Sequence, residues 1–231
     1  MLKKWLLLVF FYQPFAYSAQ IYLASSLSEP IGKLFNSADY AVTLVPGPSS
    51  SLARQIVQGA PADLYISAHP SWTTYVTEHT SALKVERFLT NKLVVIKGNK
   101  VENDELTLKE MLGGSHGLVA VADPSHVPAG LYTDQVRRSL ELSPVSEWVP
   151  ARHVRQALRY VETGATPYGV VYSTDAKHSD NVNVVLQIDA SLHQAIEYHI
   201  VSFTEKGNEL AHFLMREESK MVLMDYGFEL P

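Results

Sequence analysis

The residues best placed to do chemistry in this chain are serines at the starts of helices. In Leu44-Val45-Pro46-Gly47-Pro48-Ser49-Ser50-Ser51-Leu52 an apolar run turns through Pro-Gly-Pro and then presents three serines. Ser49 and Ser50 are N-cap candidates, because a side-chain oxygen can accept one of the unpaired first-turn N–H groups. Leu52, Ala53 and Ile56 supply an apolar helix face, and Gly59 is placed to stop the helix. A helix start with spare hydroxyl and amide donors is an anion site in the making. Taken alone, the same residues also describe an ordinary capped surface helix. A second cluster, Ser25-Ser26-Leu27-Ser28-Glu29-Pro30, follows the apolar run Ile21-Tyr22-Leu23. Here Ser26 or Ser28 is the expected cap and Pro30 sits in the first turn, where a missing N–H costs nothing.

Other reactive patterns carry less. Gly113-Gly114-Ser115-His116-Gly117 matches G-x-S-x-G, but a nucleophile elbow follows a strand and opens a helix, and here the order is reversed. It reads as a glycine turn. The nine histidines include no H-x-x-x-H pair, so a locally built zinc site is not expected. His126 and His153 stand beside candidate ligand loops, and Tyr172 ends an apolar strand. There is no cysteine, which removes disulfides, thiolate metal sites and a cysteine nucleophile.

The elements that must position these residues alternate. Strands are expected at 20–24, 41–45 and 62–68, with helices after the first two and a third over 71–76. This is the strand–helix–strand pattern of a parallel α/β sheet, in which ligands sit beyond the carboxyl ends of the strands. Both serine clusters fall at that end. Further strands are expected at 92–97, 117–122, 168–172, 182–188 and 196–203, the first and last reading as crossings between lobes. Helices are expected at 107–112, from 131 to 140 (Leu131, Val136 and Leu140 to one side), at 153–163 with Gly164 as stop, and at 208–215 and 219–226.

Residues 1–19 read as a secretory signal peptide: Lys3 and Lys4, a short apolar run, and small residues at Ala16 and Ser18. The run is shorter than the roughly 20 residues a bilayer span needs. Cleavage is expected after Ser18 or Ala19, giving a periplasmic chain without a lipid-modified cysteine. Loss of Lys3 and Lys4 leaves 17 basic against 24 acidic residues, a net charge of −7. Such a surface argues against nucleic acid, and an anionic ligand would have to be held by local dipoles and hydrogen bonds.

Taken together, these segments resemble the periplasmic molybdate-binding proteins of ABC transporters. The resemblance rests on Ala24-Ser25-Ser26-Leu27, on Ser49 to Ile56 followed by Gly59 to Ala68, and on Asp123-Pro124 with His126 to Gly130. Val154-Arg155-Gln156-Ala157-Leu158, Gly169-Val170-Val171-Tyr172 and Tyr226-Gly227-Phe228 complete it. It implies an α/β, two-lobed type II periplasmic binding protein, each lobe a sheet flanked by helices, closing on one tetrahedral oxyanion. The implied ligand residues are the hydroxyls and amides of Ser26 and Ser49, the backbone N–H groups of Ala129 and Val154, and the Tyr172 hydroxyl. Molybdenum would enter only as its oxyanion, with no direct protein ligand. The implied lobes are 20–91 with 201–231, and 92–200. The implied function is capture of molybdate and tungstate and delivery to an inner-membrane permease with its ATPase, by a monomer that is not an enzyme and needs no cofactor.

A shell made only of donors suits a fully deprotonated dianion, whereas hydrogen phosphate keeps a proton and wants an acceptor. Sulfate, also a bare dianion, is the alternative ligand, and an exported serine hydrolase using Ser115 or Ser49 the alternative class. Arg152-His153 departs from the family's usual acidic residue, and two potentially cationic side chains there are expected either to raise affinity for the anion or to relax selectivity.

Overall fold

The computed structural model describes residues 18–101, 106–144 and 146–231; the body of the expected signal peptide, residues 1–17, lies outside them. Two five-stranded sheets organise the chain. In the first, β1 (Ala19–Ala24) lies parallel to β2 (Val42–Gly47) and to β3 (Leu64–Ser67). The helix α1 (Ser28–Ser37) joins β1 to β2, and α2 (Ser49–Val57) joins β2 to β3. After α3 (Pro70–His79), strand β4 (Lys84–Asn91) forms the edge. Only Lys92 then separates β4 from β5 (Leu93–Gly98), which belongs to the second sheet.

That second sheet repeats the plan. After α4 (Leu108–Leu112), strand β6 (Val119–Ala122) runs parallel to β7 (Trp148–Ala151) and β8 (Tyr168–Tyr172), linked through α5 (Pro128–Ser139) and α6 (Val154–Glu162). The short α7 (Ser173–Lys177) leads to β9 (Val182–Gln187), and β5 lies antiparallel between β8 and β9. The chain then returns as β10 (Ile196–Ser202), antiparallel between β3 and β4, and closes with α8 (Glu205–Leu214) and α9 (Glu217–Asp225). From Ile196 onward β10 pairs within the first sheet, so residues 196–200 lie with that sheet and not with the second, where the sequence reading had put them.

Apolar patterning accounts for most elements. Ile31, Leu34 and Phe35 are buried under α1; Leu52, Ala53 and Ile56 under α2; Val154, Ala157, Leu158 and Val161 under α6. A buried Ile, Leu or Val side chain contributes about 1.5–3 kcal/mol through the area it removes from water. On α5 the buried face is Tyr132, Thr133 and Val136, while Leu131 and Leu140 are only half-buried. Gly59, Gly164 and Gly227 each take positive φ just after a helix, as C-terminal stops do. The G-x-S-x-G stretch is the tight turn between α4 and β6, with Gly114 and Gly117 at positive φ. Among the described residues no helix is long and apolar enough to cross a membrane.

The two sheets meet through specific contacts. Trp72 Nε1 of α3 donates to the His126 carbonyl at 3.2 Å. The Tyr132 hydroxyl of α5 donates to the Ala68 carbonyl at 3.3 Å. Arg155 Nη2 of α6 lies 3.5 Å from Glu29 Oε2 of α1.

Candidate functional site

Between the sheets lies a small cavity, bounded by Ser25, Ser26, Pro48, Ser49 and Ala68 on one side and Val127, Pro128, Ala129, Val154 and Tyr172 on the other. All five residues implied by the sequence reading line it, and none is more than 3% exposed.

Their placement follows from strand and helix ends. β1 runs into the single 3₁₀ turn Ser25–Leu27, which carries Ser26. β2 delivers the first residue of α2, Ser49. Ala129 is the second residue of α5, behind Pro128, and Val154 is the first of α6. The first N–H groups of a helix have no intrahelical acceptor and carry its positive end. Tyr172 ends β8. Every donor therefore sits at the carboxyl end of a strand, where open α/β sheets bind ligands.

The hydroxyls do something other than capping. Pro48, not Ser49 or Ser50, is the N-cap of α2, in extended backbone with no side-chain cap. Ser49 Oγ instead accepts the Ala68 N–H across the sheet at 3.0 Å, which leaves its own proton to donate. Ser50 is buried in the first turn, its hydroxyl without a partner among the described residues. Leu27, not Ser26 or Ser28, is the N-cap of α1; Ser28 Oγ donates to the Ser25 carbonyl and Ser26 Oγ meets the Tyr198 hydroxyl at 2.9 Å. Tyr172 Oη is buried with no partner among the described residues. Burial raises its pKa well above the ordinary phenol value, so the group stays a neutral donor.

No residue lining the cavity carries a charge. The cationic role expected of His153 fails on two counts. Its Nδ1 accepts the Gln156 N–H at 3.2 Å as the N-cap of α6, and burial, with Arg155 nearby, pulls its pKa down. Arg152 is exposed. Among the described residues no group of three or more His, Asp or Glu could hold a metal ion. What the arrangement can do is donate hydrogen bonds from several directions to one anion. Sequence reasoning missed Ala68, Asn91 and Tyr198, whose partnerships no spacing rule signals.

Two buried groups beside the site give opposite pH dependences. His69 caps α3, its Nδ1 accepting the Ser71 N–H at 3.2 Å, and burial lowers its pKa from 6.5 to about 4. Between those values the unfolded chain holds a proton that the folded chain refuses, so this contribution to stability rises with pH. Asp175 lies with an oxygen 2.7 Å from Arg155 Nε, yet burial outweighs that cation and lifts its pKa from 3.8 to about 6. There the folded chain keeps the extra proton, so stability falls as pH rises. The two therefore pull in opposite directions between about pH 4 and pH 6. Urea midpoints at pH 7 and pH 5 are expected to show His69→Asn gaining on acidification relative to the parent and Asp175→Asn losing. Variants that track the parent at both pH values would rule out this assignment.

The comparisons with known proteins agree with this geometry. The bacterial extracellular solute-binding protein family matches residues 21–229. The molybdate-binding protein ModA of Haemophilus influenzae is 32% identical, the match covering 93% of this chain and 91% of that protein. ModA of Escherichia coli is 34% identical over 79% of this chain and 76% of its own length. The solved periplasmic molybdate-binding protein of Azotobacter vinelandii superposes with a TM-score of 0.77 over 93% of this chain and all of that one; at 22% identity this speaks for the fold, that of a type II periplasmic binding protein. The chain belongs to the bacterial extracellular solute-binding proteins and, within them, to the molybdate-binding protein family.

Proposed function

We propose that this protein captures molybdate, and tungstate with it, in the periplasm and passes it to an ABC permease with its ATPase. The observation that carries the proposal is the convergence of Ser26, Ser49, Ala129, Val154 and Tyr172 on one small cavity that offers donors and no charge. The relatives named as molybdate-binding proteins support the same reading. A hydrogen bond to a charged group contributes roughly 1.5–3 kcal/mol, so several neutral donors hold a dianion without a lysine or arginine. The lobes of this reading are residues 20–91 with the C-terminal segment, and the intervening chain, with the second crossing moved ahead of Ile196. Cleavage after Ser18 leaves β1 whole, since Ala19 is buried and pairs with Val42. The protein acts as a monomer, without catalytic activity or a resident cofactor.

Thermal unfolding of the mature chain with molybdate, tungstate, sulfate and phosphate tests this. A ligand at 100 times its Kd adds roughly 2.7 kcal/mol of stability. Molybdate and tungstate are expected to raise the midpoint and phosphate to leave it unchanged. A shift with sulfate alone would reassign the ligand, and no shift with any oxyanion would overturn the proposal.

A further inference from the structure

Behind Ser26, away from the cavity, lies a buried chain of polar side chains that the donor shell does not itself include. Asn91, the last residue of β4, sits where the chain leaves the first sheet. Its Oδ1 accepts the Lys92 N–H at 2.8 Å and the Ser173 hydroxyl at 3.1 Å. A backbone N–H can only donate, so the atom facing it is the amide oxygen, and the other terminus is the NH₂ group. Its two hydrogens go to Thr174 Oγ1 at 2.9 Å and to Tyr198 Oη at 3.3 Å. Tyr198 Oη therefore receives a proton from Asn91 and has one of its own to place. Its remaining partner among the described residues is Ser26 Oγ, at 2.9 Å. Tyr198 is completely buried, and burial keeps its hydroxyl protonated. The direction of the chain follows from its far end: Asn91 donates to Tyr198, Tyr198 donates to Ser26, and Ser26 is left with a proton and no acceptor for it among the described residues.

We infer that Asn91 and Tyr198 are specificity-determining residues, which orient the Ser26 hydroxyl as a donor and so disfavour oxyanions that still carry a proton. The inference rests on the oxyanion reading given above and deepens it. A serine hydroxyl free to rotate presents either its proton or a lone pair, and with the lone pair it accepts the P–O–H of hydrogen phosphate. With one lone pair occupied by Tyr198 and no other acceptor for its proton among the described residues, the group turns that proton to the cavity, and accepting a P–O–H there would leave the proton without a partner. The Ala68 N–H does the same for Ser49 from the backbone. Of these two devices, only the one at Ser26 is built from side chains, so it alone is open to substitution by a near isostere. Asn91 also bonds Ser173 and Thr174, the two residues after Tyr172, so one amide fixes the hydroxyl on the first sheet and braces the strand end that carries the phenol of the second.

Asn91→Asp reverses the chain while nearly keeping its shape. A carboxylate can only accept, so Tyr198 would donate to it, and Ser26 would donate to Tyr198 and turn a lone pair to the cavity. Calorimetric titration of the mature protein with molybdate, tungstate and hydrogen phosphate at pH 7.5 reads the result. Molybdate and tungstate are expected to weaken together by about tenfold or more, as fits loss of one bond to a charged group. Hydrogen phosphate is expected to hold or tighten, so the molybdate-to-phosphate preference narrows by at least that factor. Tyr198→Phe, which carries no buried charge, is the companion: it frees the Ser26 rotor and is expected to narrow the preference by a smaller factor, with the molybdate loss below that of Asn91→Asp. If Asn91→Asp does not fold, Tyr198→Phe decides alone. An unchanged preference in the folded variants, or equal losses for all three anions, would overturn the inference. Failure of the parent protein to bind molybdate at all would instead strike the functional reading beneath it.

Discussion

Replacing Tyr172 by Phe is expected to weaken molybdate binding about 10- to 150-fold while leaving the ligand-free protein as stable as before, or more so. The two readouts part company because of one observation: the hydroxyl is buried at the cavity and has no protein partner among the described residues. A buried polar group without a partner costs roughly 1–3 kcal/mol, so its removal relieves the empty protein. The same group, facing a dianion, makes a charge-assisted bond of roughly 1.5–3 kcal/mol, and that is what the fold-change in Kd reports. Titration calorimetry and the apo melting temperature, taken on the same preparation, make the check. Lower apo stability with unchanged affinity would mean the hydroxyl serves the core and not the ion.

Gly130→Ala is expected to damage both binding and stability, for a reason located in the backbone. A Cβ at this position would lie 2.2 Å from the Ala122 carbonyl oxygen and 2.5 Å from that of Asp123, both main-chain atoms that cannot swing aside. Glycine is what lets the first turn of α5 press onto the end of β6, and that contact sets Ala129 against the cavity. Forcing the helix away costs on the order of 1–3 kcal/mol, roughly 2–12 °C in melting temperature for a chain of this size. Loss of the Ala129 donor is expected to add a drop in affinity of roughly tenfold or more. Gly207→Ala provides the contrast. Its Cβ would meet the Asp63 carbonyl oxygen at 2.0 Å, but on α8, away from the cavity. That variant is expected to lose stability and, where folded, to bind molybdate like the parent. Normal affinity in Gly130→Ala would mean that α5 contributes no donor.

The site was legible in the sequence to the extent that it is built from strand-to-helix turns. Ser49 follows an apolar run and precedes a helix stripe, so its place at the end of a sheet can be read locally. What its oxygen bonds to cannot: capping its own helix and accepting the Ala68 N–H look alike until β3 is laid beside β1. The Asn91–Tyr198–Ser26 chain joins residues 91, 198 and 26 and has no local signature at all. The strands that escaped the reading are both edges. β4 exposes Lys84 and Val85, and its charged residues face solvent beyond Phe88 and Leu89, which masks any apolar run. β7 contains Pro150, which a central strand would not tolerate and an edge strand does. In both, one neighbour is missing, and so is half of the patterning that burial imposes.

The indole of Trp72, bonded to the His126 carbonyl across the gap, never touches the cavity. In a protein that opens and closes around its ligand, a bond between the halves that spares the cavity shifts the closed fraction, and the apparent Kd is the intrinsic one divided by the fraction of molecules competent to bind. Contacts of this kind let evolution tune the ion concentration at which the protein fills without altering a single atom that recognises the ion.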